Sequence, residues 1–371
     1  MRLSALSLRN VRNLAAQRLE FPPAGVAVIG PNAQGKSNLL EAIYYLETLR
    51  SFRGAQDGQL VRFGEDHFRI AATLSGEDGG DSMELAAAFE RQQKRKKVTV
   101  DGTAVERLSD GLGHLAAVMF SPADAALVSG GPVERRRHVD MVLSLNQPGY
   151  LAAAQRFRQA LAQRNAALRA GAGAPAVRAW DPPLLDAGAA VMGMRADWVD
   201  RWADRFAELY AAVSGGERAR LRYEPQVTRE EGESWAEAYA RALDAVQDRD
   251  RRLGNTGAGP HRDDLDMTLE RDAGGGTSLR DFGSGGQRRT AALALRLVEA
   301  ETIRASRGQP PMVLLDDVFA ELDEARSERV MTLFDEAWVG QVILTAPKES
   351  DVRVRAHALT RWSIARGVIS A

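Results

Sequence analysis

The chain has 371 residues, 44% hydrophobic and 27% charged, enough for one large or two ordinary domains with a real core. Its 49 Lys and Arg nearly balance 50 Asp and Glu, for a net charge of -1, so a polyanionic partner would have to bind a local patch. With no Cys, disulfides, thiolate zinc sites and a cysteine nucleophile are excluded, and the five His lack metal-helix spacing.

The first stretch, MRLSALSLRNVRNL, alternates Leu3, Leu6 and Leu8 with polar residues and lacks the apolar core of a signal peptide. No apolar run is long enough to span a bilayer, and a cytoplasmic location without a membrane partner is expected. Strands are predicted at LSALSLRNV, LEF and GVAVIG, with Pro22 and Pro23 marking a turn. From Ser37, SNLLEAIYYLETL places Leu39, Ile43 and Leu46 at helical spacing. HFRIAATL, SMELAAAFE and KKVTVDGTAV read as further strands, the last folding over an Asp101-Gly102 turn.

From about Pro132 to Asp250 the chain is rich in Ala, Arg, Gln and Leu, which predicts helices interrupted by GAGAP at 171–175. These helices read as too short and irregular for an extended coiled coil. Strand character returns after GNTGAGPHRDDL. Helix QRRTAALALRLVEAETIRA, strand MVLLDD, helix DEARSERVMTLFDEA and strand QVILTA then follow, an α/β parallel-sheet order. The expected architecture is an α/β head assembled from residues 1–130 and 255–371, with a mainly helical insertion at 131–254.

Gly30-Pro31-Asn32-Ala33-Gln34-Gly35-Lys36-Ser37 matches G-x-x-x-x-G-K-[ST] at every fixed position, between a strand and a helix. Its backbone N–H groups and helix dipole suit the phosphates of ATP. Lys36 is expected to reach the β- and γ-phosphates, and Ser37 to ligate Mg²⁺. Asp316 and Asp317 end an apolar strand whose carboxyl edge would face such a loop. Asp316 is expected to hold Mg²⁺ through water and Asp317 to polarise the attacking water. Asp317 reaches about one methylene less than a Glu, which points to slow turnover.

Ser284-Gly285-Gly286-Gln287 opens a helix and is on its own a Gly-rich helix start with free donors. The order of P-loop, Ser-Gly-Gly-Gln, Asp-Asp strand and Glu-Leu-Asp resembles the ABC-type ATPases, in which the signature serine of one subunit caps the γ-phosphate held by the P-loop of another. On that resemblance Ser284 acts in trans, ATP holds a head-to-tail homodimer together, and Asp323 sits at the dimer seam. The long stretch between P-loop and signature is similar to the SMC-like branch. LSLRNVRNL, GPNAQGKSNLLEAIYYLETLRSFRG, GPHRDDL and LLDDVFAELDEAR together resemble the RecF family of bacterial recombination mediators, from the first residues to about residue 350. The resemblance implies a weak ATPase that binds gapped or single-strand/double-strand junction DNA. It also implies assistance to RecR and RecO in loading RecA, and roles in replication-fork maintenance and SOS induction.

The chain departs from the ABC pattern at Thr345 and Ala346, where no switch histidine stands, and either Gln56 or Gln59 occupies the Q-loop region. Candidate DNA contacts are Arg50, Arg53, RQQKRKK at 91–97 and Arg135-Arg136-Arg137; solvated charge is the default reading of such runs, and the mixed charge around Arg135-Arg136-Arg137 also suits local ion pairs. A transporter nucleotide-binding subunit is disfavoured by the long gap, the absent histidine and the start of the chain. An assembly protein without a DNA role would be distinguished by ATP hydrolysis indifferent to DNA.

Overall fold

The structure is a computed structural model that describes residues 2–76, 82–271, 275–321, 323–335, 340–352 and 358–370. The chain divides into two compact units, Met1–Asp124 with Leu295–Ala371, and Ala125–Ala294.

The first unit holds two six-stranded sheets. One runs Val368–Ser370, Thr360–Ala365, Gly25–Ile29, Val342–Ala346, Met312–Asp316, Ala117–Phe120, and is parallel except for its first strand. Met312–Asp316, Val342–Ala346 and Ala117–Phe120 are buried throughout, as expected of parallel strands covered on both faces. The other sheet is antiparallel, in the order Gln17–Glu20, Arg2–Arg9, His67–Ser75, Ser82–Glu90, Arg95–Val100, Thr103–Ala104. Its last hairpin turns at Asp101 and Gly102, both at positive φ (49° and 77°), where an Asp-Gly pair is favoured.

The helix Lys36–Thr48 carries two fully buried glutamates. Glu41 accepts both Arg12 Nε (2.8 Å) and Nη2 (2.9 Å), and Glu47 accepts the backbone N–H of Leu115 and Ala116 and Arg307 Nη2. Each buried charge is thus paired, and the helix is fixed to strands and loops of its own unit.

The second unit packs helices Tyr150–Arg169, Asp181–Ser214 and Trp235–Ala245 around Phe157, Leu184, Met192, Tyr239 and Leu243. Asp181–Ser214, at 34 residues, is longer than the sequence reading anticipated. Gly188 does not break it: a Cβ there would lie 2.5 Å from Tyr239 Cε1, so packing against that ring offsets glycine's poor helix propensity. Residues 255–294, expected in the head, cluster with this unit. The strand Asp264–Glu270 pairs with Ala219–Glu224 and Gly276–Ser278 in a three-stranded antiparallel sheet. Helix Gly285–Arg307 begins in this unit and ends in the first. Among the described residues no helix is long and apolar enough to cross a membrane.

Candidate functional site

The strand Gly25–Ile29 leads into residues 30–35, and the helix Lys36–Thr48 leaves them. At Gly30 a Cβ would lie 2.5 Å from the Ile364 carbonyl oxygen. Gly35, at φ 114°, would bring one to 2.9 Å from Asn13 Oδ1. Only glycine fits either place. Gln34 is held by the C-terminal hairpin: its carbonyl accepts Gly367 N (3.0 Å) and its Oε1 accepts Arg366 N (2.6 Å). Asn38 Nδ2 donates to Asn13 Oδ1 (2.8 Å), tying the loop after the first strand to the same corner.

The backbone N–H groups of Gly35, Lys36 and Ser37 find no protein acceptor among the described residues. They open a thirteen-residue helix, so three donors and a positive dipole end converge where an anion would sit. The Lys36 ammonium is 4% exposed and donates to the carbonyls of Gly30 (2.9 Å) and Pro31 (3.3 Å) and to Asn32 Oδ1 (3.3 Å). Asp317 Oδ2 lies 3.9 Å away.

The acidic pair stands beside the loop. Ser37 Oγ donates to Asp316 Oδ1 at 2.7 Å across 279 positions of sequence. A hydroxyl and a carboxylate are hard oxygen donors of the kind Mg²⁺ takes, directly or through water, so these two residues fit such an ion. Asp317 sits at φ 48° with its carboxyl pushed above the usual range, chiefly by burial and further by Asp316, against the opposing pull of Lys36. Thr345, the residue at the position without a switch histidine, bonds both acids: its Oγ1 donates to Asp316 Oδ1 (2.9 Å) and accepts Asp317 N (3.2 Å).

Ser284, Gly285, Gly286 and Gln287 lie in the second unit. Ser284 Oγ accepts Gln287 N (3.2 Å) and Gln287 Oε1 accepts Ser284 N (3.0 Å), a reciprocal capping box at the start of Gly285–Arg307. Ser284 and Gly285 are exposed. Asp323, also exposed, caps Glu324–Asp335 by accepting Arg326 N (2.8 Å). That bond, with the Arg326 guanidinium, holds its carboxyl below the usual range. Leu322 lies outside the described residues.

Gln59 Oε1 accepts Gln56 N (2.8 Å), so both glutamines cap the short helix Asp57–Leu60. Among the basic residues, Arg50, Arg91, Lys94, Arg95, Lys97 and Arg137 are exposed. Lys96 is not a free surface charge: it bonds Asp57 (3.1 Å) and the Leu49 carbonyl (2.6 Å) over the Tyr45 ring. Arg53 donates to Asn38 Oδ1 (3.0 Å). Arg135 corrects the surface reading outright. It is 2% exposed, bonds Asp264 bidentately (2.7 and 2.8 Å) and donates to the carbonyls of Val128 and Gly130. Its neighbour Arg136 donates to the Asp263 carbonyl. The GPHRDDL segment is an internal ionic centre of the second unit, with Asp263 held by Arg195 (2.9 Å), Tyr223 and Gln226 N.

Residues 2–369 match the RecF/RecN/SMC N terminal domain family. The chain is 39% identical over 365 residues to the DNA replication and repair protein RecF of Synechococcus sp. (strain JA-3-3Ab), covering 91% of this chain and 94% of that protein. The RecF protein of Anaeromyxobacter sp. (strain K) is 38% identical, covering 100% of this chain and 99% of its own length. The chain belongs to the RecF family. A solved structure of the recombination mediator protein RecF with ATP, in the RecFOR pathway, superposes with TM-score 0.89 at 29% identity, covering 100% of this chain and 97% of that one. An Smc head bound to the C-winged helix domain of ScpA superposes at TM-score 0.58 and 17% identity, covering 100% of this chain and 96% of that one, a likeness of fold. The α/β head with its P-loop is therefore that of the SMC-like ABC-type ATPases.

Proposed function

We propose that this chain is an ATP-dependent DNA-binding switch of recombinational repair, active in the cytoplasm. The observation that carries the nucleotide site is the set of N–H groups at Gly35, Lys36 and Ser37 that find no protein acceptor among the described residues, beside the Ser37–Asp316 bond. In this reading residues 30–37 cradle the phosphates, and Lys36 exchanges its bonds to the loop carbonyls for the β- and γ-phosphate oxygens. Ser37 and Asp316 hold Mg²⁺, which when bound neutralises charge developing on the phosphates. Asp317, held within 3.9 Å of Lys36, orients the attacking water, and its short side chain makes hydrolysis slow.

Ser284 of one subunit reaches the γ-phosphate bound by its partner, with Gly285, Gly286 and Gln287 shaping that helix start and Asp323 at the seam. The exposure of Ser284 and Gly285 supports this reading. ATP binding then closes a homodimer on gapped or junction DNA, and hydrolysis, stimulated by DNA, opens it. Membership of the RecF family and the likeness to RecF with ATP in the RecFOR pathway support the partners RecR, RecO and, through them, RecA. Replication-fork maintenance and SOS induction follow from the same role.

Mixing two inactive variants tests the shared site. Lys36→Met abolishes ATP binding, while Ser284→Arg leaves binding intact and obstructs only the site that its own position 284 faces. In an equal mixture, half of randomly paired dimers are mixed, and each mixed dimer has one complete site. Turnover should recover to at most about a quarter of wild type. No recovery would refute the trans assignment.

A further inference from the structure

We propose that Thr345 is the positioning residue of the acidic pair: its hydroxyl orients the Asp316 carboxylate and pins the Asp317 backbone, so that both acids face the P-loop together. The inference deepens the nucleotide-site reading and rests on it.

The strands Met312–Asp316 and Val342–Ala346 pair in parallel with Asp316 directly opposite Thr345, which brings the two side chains together. Thr345 is 1% exposed, so water does not compete for its hydroxyl. That hydroxyl has one proton. The shortest acceptor is Asp316 Oδ1 at 2.9 Å, whereas the Leu315 carbonyl and Asp317 Oδ1 are each at 3.4 Å, so the proton is given to Asp316. A lone pair remains, and Asp317 N donates to it at 3.2 Å.

This second bond occurs where the chain needs help. Asp317 leaves the strand at φ 48°, a conformation that costs a non-glycine residue about 1 kcal/mol. The same turn places its carboxylate 3.9 Å from Lys36. Asp316 Oδ1 receives two hydroxyls, Ser37 at 2.7 Å and Thr345 at 2.9 Å, from opposite sides in sequence. Release of the Ser37 hydroxyl toward a metal leaves Thr345 as the donor that keeps this oxygen in place. Valine at 345 would fill the same space without a donor or an acceptor.

The test compares wild type, Thr345→Val and Thr345→Ser with the fluorescent nucleotide mant-ATP, first in EDTA and then in Mg²⁺. In EDTA all three should bind within about twofold of one another, since the loop donors are untouched. The gain in affinity on adding Mg²⁺ should shrink by about 10-fold or more in Thr345→Val and persist in Thr345→Ser, the range seen when a bond supporting a metal ligand is removed. In steady-state turnover the valine variant should lose kcat with little change in KM, and serine should restore it. Should Thr345→Val not fold, Thr345→Cys carries the comparison, its thiol being a weak donor and acceptor. A valine or cysteine variant with the wild-type Mg²⁺ gain and kcat would overturn the proposal, as would a serine variant as impaired as valine. Failure of wild type itself to bind mant-ATP would instead refute the nucleotide site.

Discussion

Replacing Arg135 separates two accounts of a basic run. Arg135→Ala removes a guanidinium with four hydrogen bonds, two to Asp264 and two to backbone carbonyls, and leaves those acceptors without their donor at a position where the arginine was only 2% exposed. The Asp264 side chain is 21% exposed, so water can partly re-solvate it, and the cost belongs near the low end of the roughly 3–5 kcal/mol seen when one partner of a buried pair is removed. That is a large share of a typical stability of about 5–15 kcal/mol. Four of the six tryptophans, Trp180, Trp198, Trp202 and Trp235, lie in the same unit, so urea denaturation followed by tryptophan fluorescence reports chiefly on it. We expect a loss of about 3 kcal/mol, and under about 0.5 kcal/mol for the exposed Arg137→Ala. An Arg135→Ala protein as stable as wild type, with the salt dependence of DNA binding reduced by about one unit, would refute the structural role and restore the phosphate-contact reading.

His261 gives a pH dependence. Burial pushes its imidazole down from the usual 6.5 to about 4, aided by Arg262 and Arg136, while its bond to the Thr256 carbonyl and the charge of Asp250 oppose the shift. The unfolded chain therefore takes up a proton that the folded one refuses. The contribution is intact above about pH 6.5 and lost as pH falls toward 4, reaching about 2.5 kcal/mol at pH 4.5. His261→Gln should flatten that part of the wild-type stability profile, and an unchanged slope would contradict the assignment. Gly367→Ala should destabilise the first unit by roughly 2 kcal/mol and weaken nucleotide binding through Gln34. Its Cβ would lie 2.0 Å from the Asn13 carbonyl oxygen at φ 80°. Thermal unfolding and nucleotide titration of that variant check both effects, and a loss of neither would refute the bracing role of the hairpin.

The parts of the site that are contiguous in sequence were readable there. Residues 30–37 carry their own backbone requirements, and an apolar strand ending in Asp316, with Asp317 just beyond it, needs no distant information. What the sequence concealed depends on pairing across long separations. Thr345 acquires its role only because it stands opposite Asp316 in the ladder, and Gln34 is braced by Arg366 and Gly367, more than 300 positions away. Ala117–Phe120 is too short an apolar run to declare itself a strand until it is seen pairing with Met312–Asp316. Arg135 reads as surface charge within ERRRH because its partner, Asp264, is 129 residues distant. The boundary of the second unit was misplaced for the same reason: the strand Asp264–Glu270 finds its ladder partner in Ala219–Glu224, which belongs to the insertion.

The central claim is that ATP is hydrolysed in a site shared by two subunits and coupled to DNA. Turnover per subunit, measured against protein concentration with and without gapped duplex DNA, addresses it most directly. A rate that rises with concentration and rises further with DNA is the predicted result. A rate indifferent to both would mean that each subunit works alone, and would contradict the role assigned to Ser284.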